Sequence, residues 1–420
     1  MKNLCKAVGR AMAAATLGAV LVLGSGPASA QERPKEWKIG ALFPFSGPLA
    51  FLGQETFRGA RIAAEMINAE GGILGAPVVW ERADATNPAQ ARTEAERLAD
   101  AGIKVVFGTN SSGLAIAASQ VLERKKVIFW EPGSAADEIT TRGYQYTFRT
   151  VPPGAEWANT LADFAANRAT PTQGKTKDSV RIGIKYEDGA FGNSIGKELV
   201  ARLKSLGITP VIYEQYSARA TDLSSLVLKL KEAKVDIVLS TDYPNDAILF
   251  ARQSKELGLP TRAILGWAGI AYPKFREDIG SYADGMMSIN LPTDLNPERL
   301  SPTARKVREE FRERFRKEAG YDPPAFAAVG FDGAWILFKY VLPRAGSMDP
   351  DAIRKAALEA DVPMGELPLG WGVKFTGPNS GSPHIGQNTR AFVGVTQWQN
   401  GKLVLVWPEH LAAGKLIKVD

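Results

Sequence analysis

The sequence has almost no thiol or imidazole chemistry. Its 420 residues include one cysteine, Cys5, and two histidines, His384 and His410. A single cysteine cannot form an internal disulfide, and no cysteine after position 5 is available as a metal ligand or a nucleophile. Two isolated histidines argue against a His-based catalytic triad and against a multi-histidine metal site. We therefore expect no metal, no cofactor and no catalytic residues.

The sequence also lacks a strong excess of charge of either sign. Lys and Arg number 51 and Asp and Glu 45, which gives a formal net charge of +6. The first 30 residues hold three of the basic residues and no acid, so removing them leaves 48 basic against 45 acidic residues. This balance, without any basic run interleaved with aromatics, argues against a nucleic-acid partner. The sequence contains no Walker loop and no G-x-G-x-x-G after a strand, so no motif of this kind indicates a nucleotide ligand.

The beginning of the chain is typical of a secretory signal. Three basic residues precede the apolar run Ala11–Leu23, which is too short to span a bilayer as a helix. Ala28-Ser29-Ala30 supplies a cleavage pattern of small residues. Cys5 precedes the apolar run, whereas a lipid anchor needs a cysteine at the cleavage point. We predict residues 1–30 to be a signal peptide and the product to be periplasmic, with no later stretch that crosses the membrane.

From Trp37 onward, strand-like and helix-like segments alternate, which indicates an α/β fold with parallel sheets covered by helices. The predicted strands are Trp37–Phe43, Pro77–Trp80, Ile103–Phe107, Val127–Trp130, Val180–Tyr186, Val211–Tyr216, Asp236–Ser240, Ala263–Gly266 and Gly285–Leu291. The rhythm restarts after Val151-Pro152-Pro153-Gly154, a stiff segment that suggests a crossing between two similar lobes. Near the end, Asn400-Gly401 predicts a β-hairpin.

Two small-residue turns follow neighbouring predicted strands: Gly108–Gly113 and Pro132–Ser134. In an open parallel sheet, turns of this kind meet at the carboxyl edge, where ligands bind. Small hydroxyl residues there leave the first N–H groups of the next helix free to hold an anion. The alternative is that these Ser and Thr residues are ordinary helix N-caps.

Acidic and aromatic side chains also follow predicted strands. The acids in this position are Glu131, Asp188 and Asp242. The aromatic residues in this position are Trp130, Phe191, Tyr243 and Trp267. A flat apolar ligand between two lobes would use such rings, with a few polar groups that fix its orientation. The acids could equally form turns or caps, and each ring could belong to the core.

A set of short motifs resembles a known family. The set is Ser46-Gly47-Pro48, Ile67-Asn68-Ala69-Glu70-Gly71-Gly72-Ile73, Asp137-Glu138-Ile139-Thr140-Thr141-Arg142-Gly143, Phe148-Arg149-Thr150, Tyr186-Glu187-Asp188-Gly189-Ala190-Phe191-Gly192, Asp222-Leu223-Ser224-Ser225-Leu226 and Tyr321-Asp322-Pro323-Pro324. In content and order it resembles periplasmic substrate-binding proteins of the branched-chain amino acid class of ABC importers, the leucine-binding-protein-like members of the type I periplasmic-binding fold.

The resemblance implies two Rossmann-like lobes, each with a parallel-sheet core, joined by a three-segment hinge that closes on a ligand. It places the first lobe at 36–151 plus 292–392 and the second at 152–291 plus 393–420. It also implies a non-catalytic receptor that delivers a small-molecule ligand to an inner-membrane ABC permease. The restart of the rhythm after Pro153 agrees with the first crossing.

The resemblance further implies a ligand site. Ser111 and Ser112 match the turn that binds the ligand carboxylate, and Gly133 matches a backbone contact. Tyr243 matches a pocket tyrosine, and Phe191 stands where a second tyrosine is common.

Three other positions near these matches are less regular. Ala135 replaces a threonine that is usual in members that bind amino acids, although Ser134 is adjacent. Trp130 and Trp267 are added as candidates because they flank the predicted strand ends.

One departure bears on the ligand. Ala268 occupies the position where amino-acid-binding members place an acid for the α-ammonium of the ligand. A buried ammonium without a partner costs several kcal/mol. Either Glu131, Asp188 or Asp242 replaces that acid, or the ligand has no α-amine. With four aromatic residues nearby, the sequence slightly favours a carboxylate with an aromatic or acyl body over an amino acid or amide.

Two further functions stay open at this point. A ligand sensor on the same fold would pass occupancy to a signalling partner instead of a permease. An exported hydrolase with a pair of carboxylates would require two acids that face each other across the cleft.

Overall fold

The computed structural model describes residues 34–267 and 269–418, which lie in a compact unit that begins at Pro34. The predicted signal segment and Ala268 therefore lie outside the described residues. The described chain is an α/β protein with two large sheets, and each sheet forms the core of one lobe.

The first lobe is built on a five-stranded parallel sheet in the order β2-β1-β3-β4-β5. Its strands are β1 (Trp37–Phe43), β2 (Val78–Asp84), β3 (Val105–Gly108), β4 (Ile128–Glu131) and β5 (Thr147–Arg149). The central strands β3 and β4 are buried along their whole length. Such continuous apolar runs are expected where helices cover both faces of a parallel sheet.

The second lobe is built on a seven-stranded sheet in the order β14-β13-β10-β9-β8-β6-β7. Its strands are β6 (Ile182–Glu187), β7 (Ile212–Tyr216), β8 (Ile237–Thr241), β9 (Ile264–Gly266), β10 (Met287–Asn290), β13 (Gly394–Gln399) and β14 (Lys402–Trp407). The strands from β7 to β10 pair in parallel, whereas β13 and β14 add an antiparallel hairpin at the edge. A small separate ladder consists of β11 (Asp361–Val362) and β12 (Val373–Lys374).

Helices connect most of the strands. The α-helices are α1 (Ala50–Ala69), α2 (Pro88–Asp100), α3 (Ser112–Arg124), α4 (Glu138–Thr141), α5 (Gly154–Phe164), α6 (Thr170–Thr172), α7 (Ala190–Ser205), α8 (Ser224–Glu232), α9 (Pro244–Glu256), α10 (Pro273–Ile279), α11 (Pro302–Ala319), α12 (Ala325–Trp335), α13 (Leu342–Ala345) and α14 (Pro350–Leu358). Two π-helical stretches, Ala165–Ala169 and Ile336–Val341, extend α5 and α12, and 3-10 turns occupy Gly280–Ala283 and Pro297–Arg299.

Helix α12 packs closely against α1 in the first lobe. A Cβ atom on Gly59 would lie 1.9 Å from the carbonyl oxygen of Ala327, and one on Gly330 would lie 1.9 Å from that of Thr56. Neither position tolerates a side chain without separating the helices. The two glycines therefore fix the approach of α12, and with it the position of Phe326 at its first turn.

The helical segment Ala325–Ala345 is long and apolar enough to cross a membrane by length and composition, and it is the one such helix among the described residues. The expectation that no later stretch reaches this length was wrong. In the structure, 83% of its apolar window is buried inside the protein. The segment is a core helix here, because its apolar surface is covered by α1, α11 and the first sheet.

The two lobes contact each other across the cleft. The ring of Phe51 lies over that of Tyr272 with centroids 4.1 Å apart. The backbone N–H of Asp137 donates to the Ser194 hydroxyl at 3.2 Å. At another point Asn245 Nδ2 donates to the Pro48 carbonyl oxygen at 3.4 Å. The lobes are therefore in direct contact around the cleft.

Several predicted elements are confirmed with small shifts. The hairpin turns at Asn400-Gly401, and Asn400 adopts a positive φ of 50°. The strand predicted at Pro77–Trp80 continues to Asp84, because pairing with β1 holds its polar second half in the sheet. The limits of the lobes, 36–151 plus 292–392 and 152–291 plus 393–420, stay a prediction.

Candidate functional site

A small cavity lies in the cleft between the lobes and has a volume of about 30 Å³. This is close to the share of one water molecule in the liquid. Its lining residues come from both lobes: Leu52, Asn110, Ser112, Gly133, Ser134, Ala135, Phe191, Asp242, Tyr243, Trp267 and Phe326. A ligand of several heavy atoms can enter only if the lobes or these side chains move apart.

The β3–α3 turn presents the start of a helix to this cavity. Ser111 is the N-cap of α3, but its side chain makes no capping hydrogen bond, and Ser112 is the first helical residue. The first N–H groups of a helix have no carbonyl partner four residues back, and the helix dipole makes that end positive. The interpretation of Ser111 as an ordinary cap is therefore not supported, and its hydroxyl instead interacts with the phenol of Tyr243.

The buried carboxylate of Glu131 joins the β3–α3 turn to the β4–α4 turn. Its oxygens accept backbone N–H groups from Thr109 at 2.6 Å, Asn110 at 3.1 Å, Gly133 at 2.8 Å and Ser134 at 2.8 Å. Burial raises the pKa of Glu131, and these backbone donors act in the opposite direction. Because both oxygens are already occupied, Glu131 acts as a structural link between the turns and is not available to a ligand ammonium.

The β4–α4 turn requires a glycine and places a buried hydroxyl at the cavity wall. A Cβ atom on Gly133 would lie 2.0 Å from Asn110 Oδ1, so the two turns pack without room for a side chain. Ser134 is 2% exposed, and its hydroxyl has no hydrogen bond of acceptable geometry among the described residues. It lies near enough to Glu131 to favour the ionised carboxylate. An unpaired buried hydroxyl in a cavity wall is a candidate ligand contact.

Arg149 holds the rear of the same turn. Its fully buried guanidinium donates to the carbonyl oxygens of Ala135 at 2.9 Å and Ala136 at 2.7 Å, and to Gln387 Oε1 at 2.6 Å. Burial lowers the pKa of Arg149 to about 10, which leaves it charged at neutral pH. By fixing the carbonyls on one side of the turn, Arg149 restricts the orientation of the N–H groups on the other side.

The second lobe brings an acid to the opposite wall. Asp242 follows β8 and is 2% exposed; it accepts from the Ser240 hydroxyl and, at 3.3 Å, from the Trp267 N–H. Lys185 Nζ lies 3.6 Å from its carboxylate, too far for a hydrogen bond. Burial lowers the pKa of Lys185, and its ammonium also lies over the rings of Tyr216 and Phe250.

Aromatic rings close the cavity beside Asp242. Phe191 packs edge-on against Trp267 with centroids 4.8 Å apart, and Tyr243 lies 5.4 Å from Phe191. Trp157 stacks behind Trp267 at 4.2 Å. Burial and the nearby charge of Glu187 raise the pKa of Tyr243, so its phenol keeps its proton. The rings form an apolar wall with one hydroxyl.

The structure brings six of the nine candidate ligand residues to the cavity wall: Ser112, Gly133, Ser134, Phe191, Tyr243 and Trp267. Ser111 stands next to the wall, beside Tyr243. Trp130 does not line the cavity. It is fully buried, its indole N–H donates to the Gly333 carbonyl at 2.9 Å, and its ring packs on Phe148 and Phe375. Its placement in the site needs correction, because the strand end turns this ring into the core. Ala268 lies outside the described residues.

The three acids considered as replacements separate clearly. Asp242 lines the cavity, Glu131 is occupied by backbone donors, and Asp188 is exposed and accepts from the Ala218 N–H at 3.1 Å. Three lining residues were missed: Leu52, Asn110 and Phe326. Asn110 lies inside the turn singled out from the sequence, but Leu52 and Phe326 look like ordinary apolar helix residues. Only the packing of α1 against α12 carries them to the cleft.

Comparison with known proteins agrees with this architecture. The family model described as periplasmic binding protein matches residues 36–401. The Leu/Ile/Val-binding protein homolog 8 of Brucella abortus (strain 2308) is 38% identical over 383 residues, which cover 90% of this chain and 92% of that protein.

Solved structures share the fold. A leucine-binding protein, LivK, from Thermotoga maritima superposes with a TM-score of 0.74 at 20% identity, over 88% of this chain and 97% of that one. The branched-chain amino acid transporter substrate-binding protein LivJ from Streptococcus pneumoniae, solved in complex with isoleucine, gives 0.72 at 21% identity, over 88% and 97%.

Proposed function

Because the chain belongs to the periplasmic binding protein family, in its branched-chain amino acid class, we propose that it is the receptor of an ABC importer for an apolar α-amino acid. The observation that carries this proposal is a cavity with a helix N-terminus and an unpaired hydroxyl on one wall and a carboxylate on the other. Such a pair of walls suits a zwitterion.

The carboxylate of the ligand would lie on the first lobe. The start of α3 offers unpaired N–H groups at the positive end of the helix dipole, and Ser134 offers a hydroxyl without a partner. The Ser112 hydroxyl is less free, because it already accepts from the Ala136 N–H at 3.1 Å. Anion binding by this wall is the part of the proposal that was already predicted from the sequence.

The ammonium of the ligand would pair with Asp242 on the second lobe. Among the three acids that the sequence offered as replacements for the usual acid at Ala268, Asp242 is the one that lines the cavity. Leu52 and Phe326 from the first lobe and Phe191 and Trp267 from the second would surround the side chain of the ligand. The names of the relatives, which refer to leucine, isoleucine and valine, fit an aliphatic side chain.

An aromatic or acyl carboxylate without an amine is the second candidate. Lys185 already compensates the charge of Asp242, which weakens the need for a ligand ammonium, and the Trp157–Trp267 stack provides a flat apolar wall. The acid of Asp242 on the cavity wall nevertheless leads us to favour the amino acid over the class that the sequence slightly preferred. The aromatic or acyl carboxylate remains the alternative to test.

Matched ligands separate the two candidates. L-leucine and 4-methylpentanoate differ only in the amine, and L-phenylalanine and 3-phenylpropanoate form a second such pair. We expect thermal-shift and calorimetric titration to show binding of the amino acid and at least tenfold weaker binding of its amine-free partner. Tighter binding of the amine-free partners would instead identify the aromatic or acyl carboxylate class.

A variant pair assigns the role of Asp242. Asp242→Asn should remove most of the preference for leucine over 4-methylpentanoate, because truncating one member of a buried charge pair typically costs about 2–5 kcal/mol. Since this change leaves Lys185 unpaired, Asp242→Asn combined with Lys185→Met serves as the control with balanced charge. If both variants keep the wild-type preference, Asp242 is not the ammonium partner.

Transport follows from closure. A ligand that contacts both lobes stabilises the closed state, because it binds that state more tightly than the open one. A permease that recognises the closed lobes would receive only loaded receptors. The sensor alternative uses the same closure with a different partner, and reconstitution with a candidate branched-chain amino acid ABC permease would distinguish the two.

The hydrolase alternative lacks its main requirement. Asp242 is the single acid among the described residues of the cavity wall, so no carboxylate faces it across the cleft. Ser194 does lie within a G-x-S-x-G pattern, Gly192–Gly196, but this pattern is inside helix α7 and the hydroxyl accepts from the Asp137 N–H. The residues expected of an acyl-transfer site are not assembled around it.

A further inference from the structure

A second and much larger cavity lies between the lobes, and we call it the interlobe cavity. Its volume is about 360 Å³, and it shares no lining residue with the cleft cavity. Helices α11 and α12 form the wall from the first lobe. The β13–β14 hairpin and the start of α10 form the wall from the second lobe.

A buried acid faces this cavity with one oxygen unused. Asp332 of α12 is 1% exposed, and its Oδ2 accepts from the Leu369 N–H at 3.1 Å. Its Oδ1 is buried and has no partner among the described residues. Leaving a buried carboxylate oxygen without a donor is costly, so a native structure that keeps one calls for an explanation.

Two cations of α11 line the same cavity. Arg308 is 7% exposed and donates to the carbonyl oxygens of Thr293 at 2.5 Å and Leu295 at 3.2 Å, but no acid of the described chain lies within 4.0 Å of it. Arg312 is paired loosely with Asp294 at 3.7 Å and with Asp322 at 3.4 Å, and its buried Nε has no acceptor among residues 34–267 and 269–418.

An acid and two arginines therefore face one cavity without touching. Asp332 and Arg308 influence each other electrostatically, yet the space between them prevents an ion pair. Phe311, Leu369 and Trp398 supply apolar surface around these groups. Buried ionisable groups are normally satisfied by a partner of opposite charge. Here such a partner would have to carry both an ammonium for Asp332 and an anionic group for the two arginines.

We propose that the interlobe cavity binds a second small zwitterion, with its ammonium on Asp332, its carboxylate on Arg308 and Arg312, and an apolar body against Phe311 and Leu369. A free amino acid has this chemistry. Burial raises the pKa of Asp332 to about 8, because desolvation disfavours the charge. An ammonium that binds there favours the ionised carboxylate, so binding near pH 7 releases a proton.

Occupancy of this cavity would also favour closure. Its walls come from both lobes, so a bound molecule makes its full set of contacts only when the lobes are together. A ligand in the interlobe cavity should therefore raise the affinity of the cleft for its own ligand, and by thermodynamic reciprocity the reverse holds. The chain would then respond more steeply to amino acid concentration than a receptor with one site.

Calorimetric titration of the full processed chain tests this proposal. The probes are the proteinogenic L-amino acids up to millimolar concentration, each in two buffers with different ionisation enthalpies. We expect a second, weaker phase with proton release. Asp332→Asn should weaken that phase at least tenfold. Asp242→Asn should weaken the first phase directly and the second phase only through the coupling between the sites, and the proton release of the second phase should remain. This pattern keeps failure of this site distinct from failure of the cleft proposal.

A second variant guards against a folding defect. Ala271→Phe fills the cavity from the partly exposed edge of the second lobe and leaves every charged residue in place. If the Asp332→Asn protein does not fold, Ala271→Phe still tests the site, because it should abolish the second phase. The proposal is overturned by a single phase in the wild-type protein, which would mean that the cavity holds only water, or by a second phase that survives Ala271→Phe.

Discussion

Two serines of the cleft wall, Ser112 and Ser134, make different hydrogen bonds, although both lie in small-residue turns after predicted strands. Ser134 has no hydrogen-bond partner of acceptable geometry in the part of the chain that the structure describes, whereas Ser112 accepts from the buried Ala136 N–H. Ser134→Ala should therefore weaken ligand affinity about five- to tenfold, as expected for one hydrogen bond of roughly 1 kcal/mol, and leave the melting temperature of the free protein unchanged.

Ser112→Ala is the matched comparison. It leaves the N–H of Ala136 without an acceptor and should lower the free energy of unfolding by about 1–3 kcal/mol. Melting curves with and without ligand measure both quantities for both variants. A Ser134→Ala protein that melts several degrees lower with unchanged affinity would assign this hydroxyl to the fold instead of the site.

Single residues also show which features could be predicted from the sequence and which could not. The hydroxyl turn after β3 was recognised because small residues at a strand end have a local signature. Trp130 also lies at the end of a predicted strand, but strand β4 directs its ring toward α12 and the core. The direction of one side chain depends on the helix that packs over the sheet, and that helix is about 200 residues away in the sequence.

At the scale of elements, periodicity recovered most of the strands and helices, since each contains enough apolar residues to mark its buried face. The hairpin at Asn400-Gly401 was recovered from the turn residues alone. The part of the cavity wall formed by Leu52 and Phe326 was not recovered, because α1 and α12 meet through Gly59 and Gly330. Close contacts between distant glycines leave no periodic trace, so Leu52 and Phe326 could not be assigned to the site.

Several helices bury acids, and two of these acids, Glu156 and Asp332, allow a test of how burial connects stability to pH. Burial raises the pKa of Glu156 in α5 to about 7 and that of Asp332 in α12 to about 8. The native state therefore binds these protons more tightly than the unfolded state, in which the values are near 4.5 and 3.8. Their contribution is full below about pH 4 and is lost as pH rises toward 7–8.

The expected result is a decrease in unfolding free energy between about pH 5 and 7, with a slope of at most about 1.4 kcal/mol per pH unit for each group. Urea unfolding at several pH values measures it. Glu156→Gln and Asp332→Asn should each flatten the profile, and the smaller effect belongs to Glu156, which is less deeply buried. Profiles that stay parallel to the wild type would show that these acids ionise normally.

At the scale of the whole molecule, closure depends on contacts that never touch the ligand. Phe51 and Tyr272 pack across the cleft and neither lines its cavity. An aromatic pair of this kind contributes about 0.5–1.5 kcal/mol. Phe51→Ala should therefore weaken ligand affinity about two- to tenfold, because the closed state loses support while every ligand contact remains.

The control is the cycle with Tyr272→Ala. Both single variants should lose the same affinity, and the double variant should lose little more, since the second change removes a contact that is already absent. Additive losses would show that the rings act independently and that their packing does not stabilise closure.

The contact between Asn245 and Pro48 at the cleft makes the chain suitable as an optical reporter. No cysteine follows position 5, so Asn245→Cys would place one thiol on a contact between the lobes. A dye attached there lies beside the Pro48 backbone when the lobes meet and loses that neighbour when they separate. Its fluorescence would follow each opening directly, and a single labelled molecule could be watched as it captures and releases its cargo.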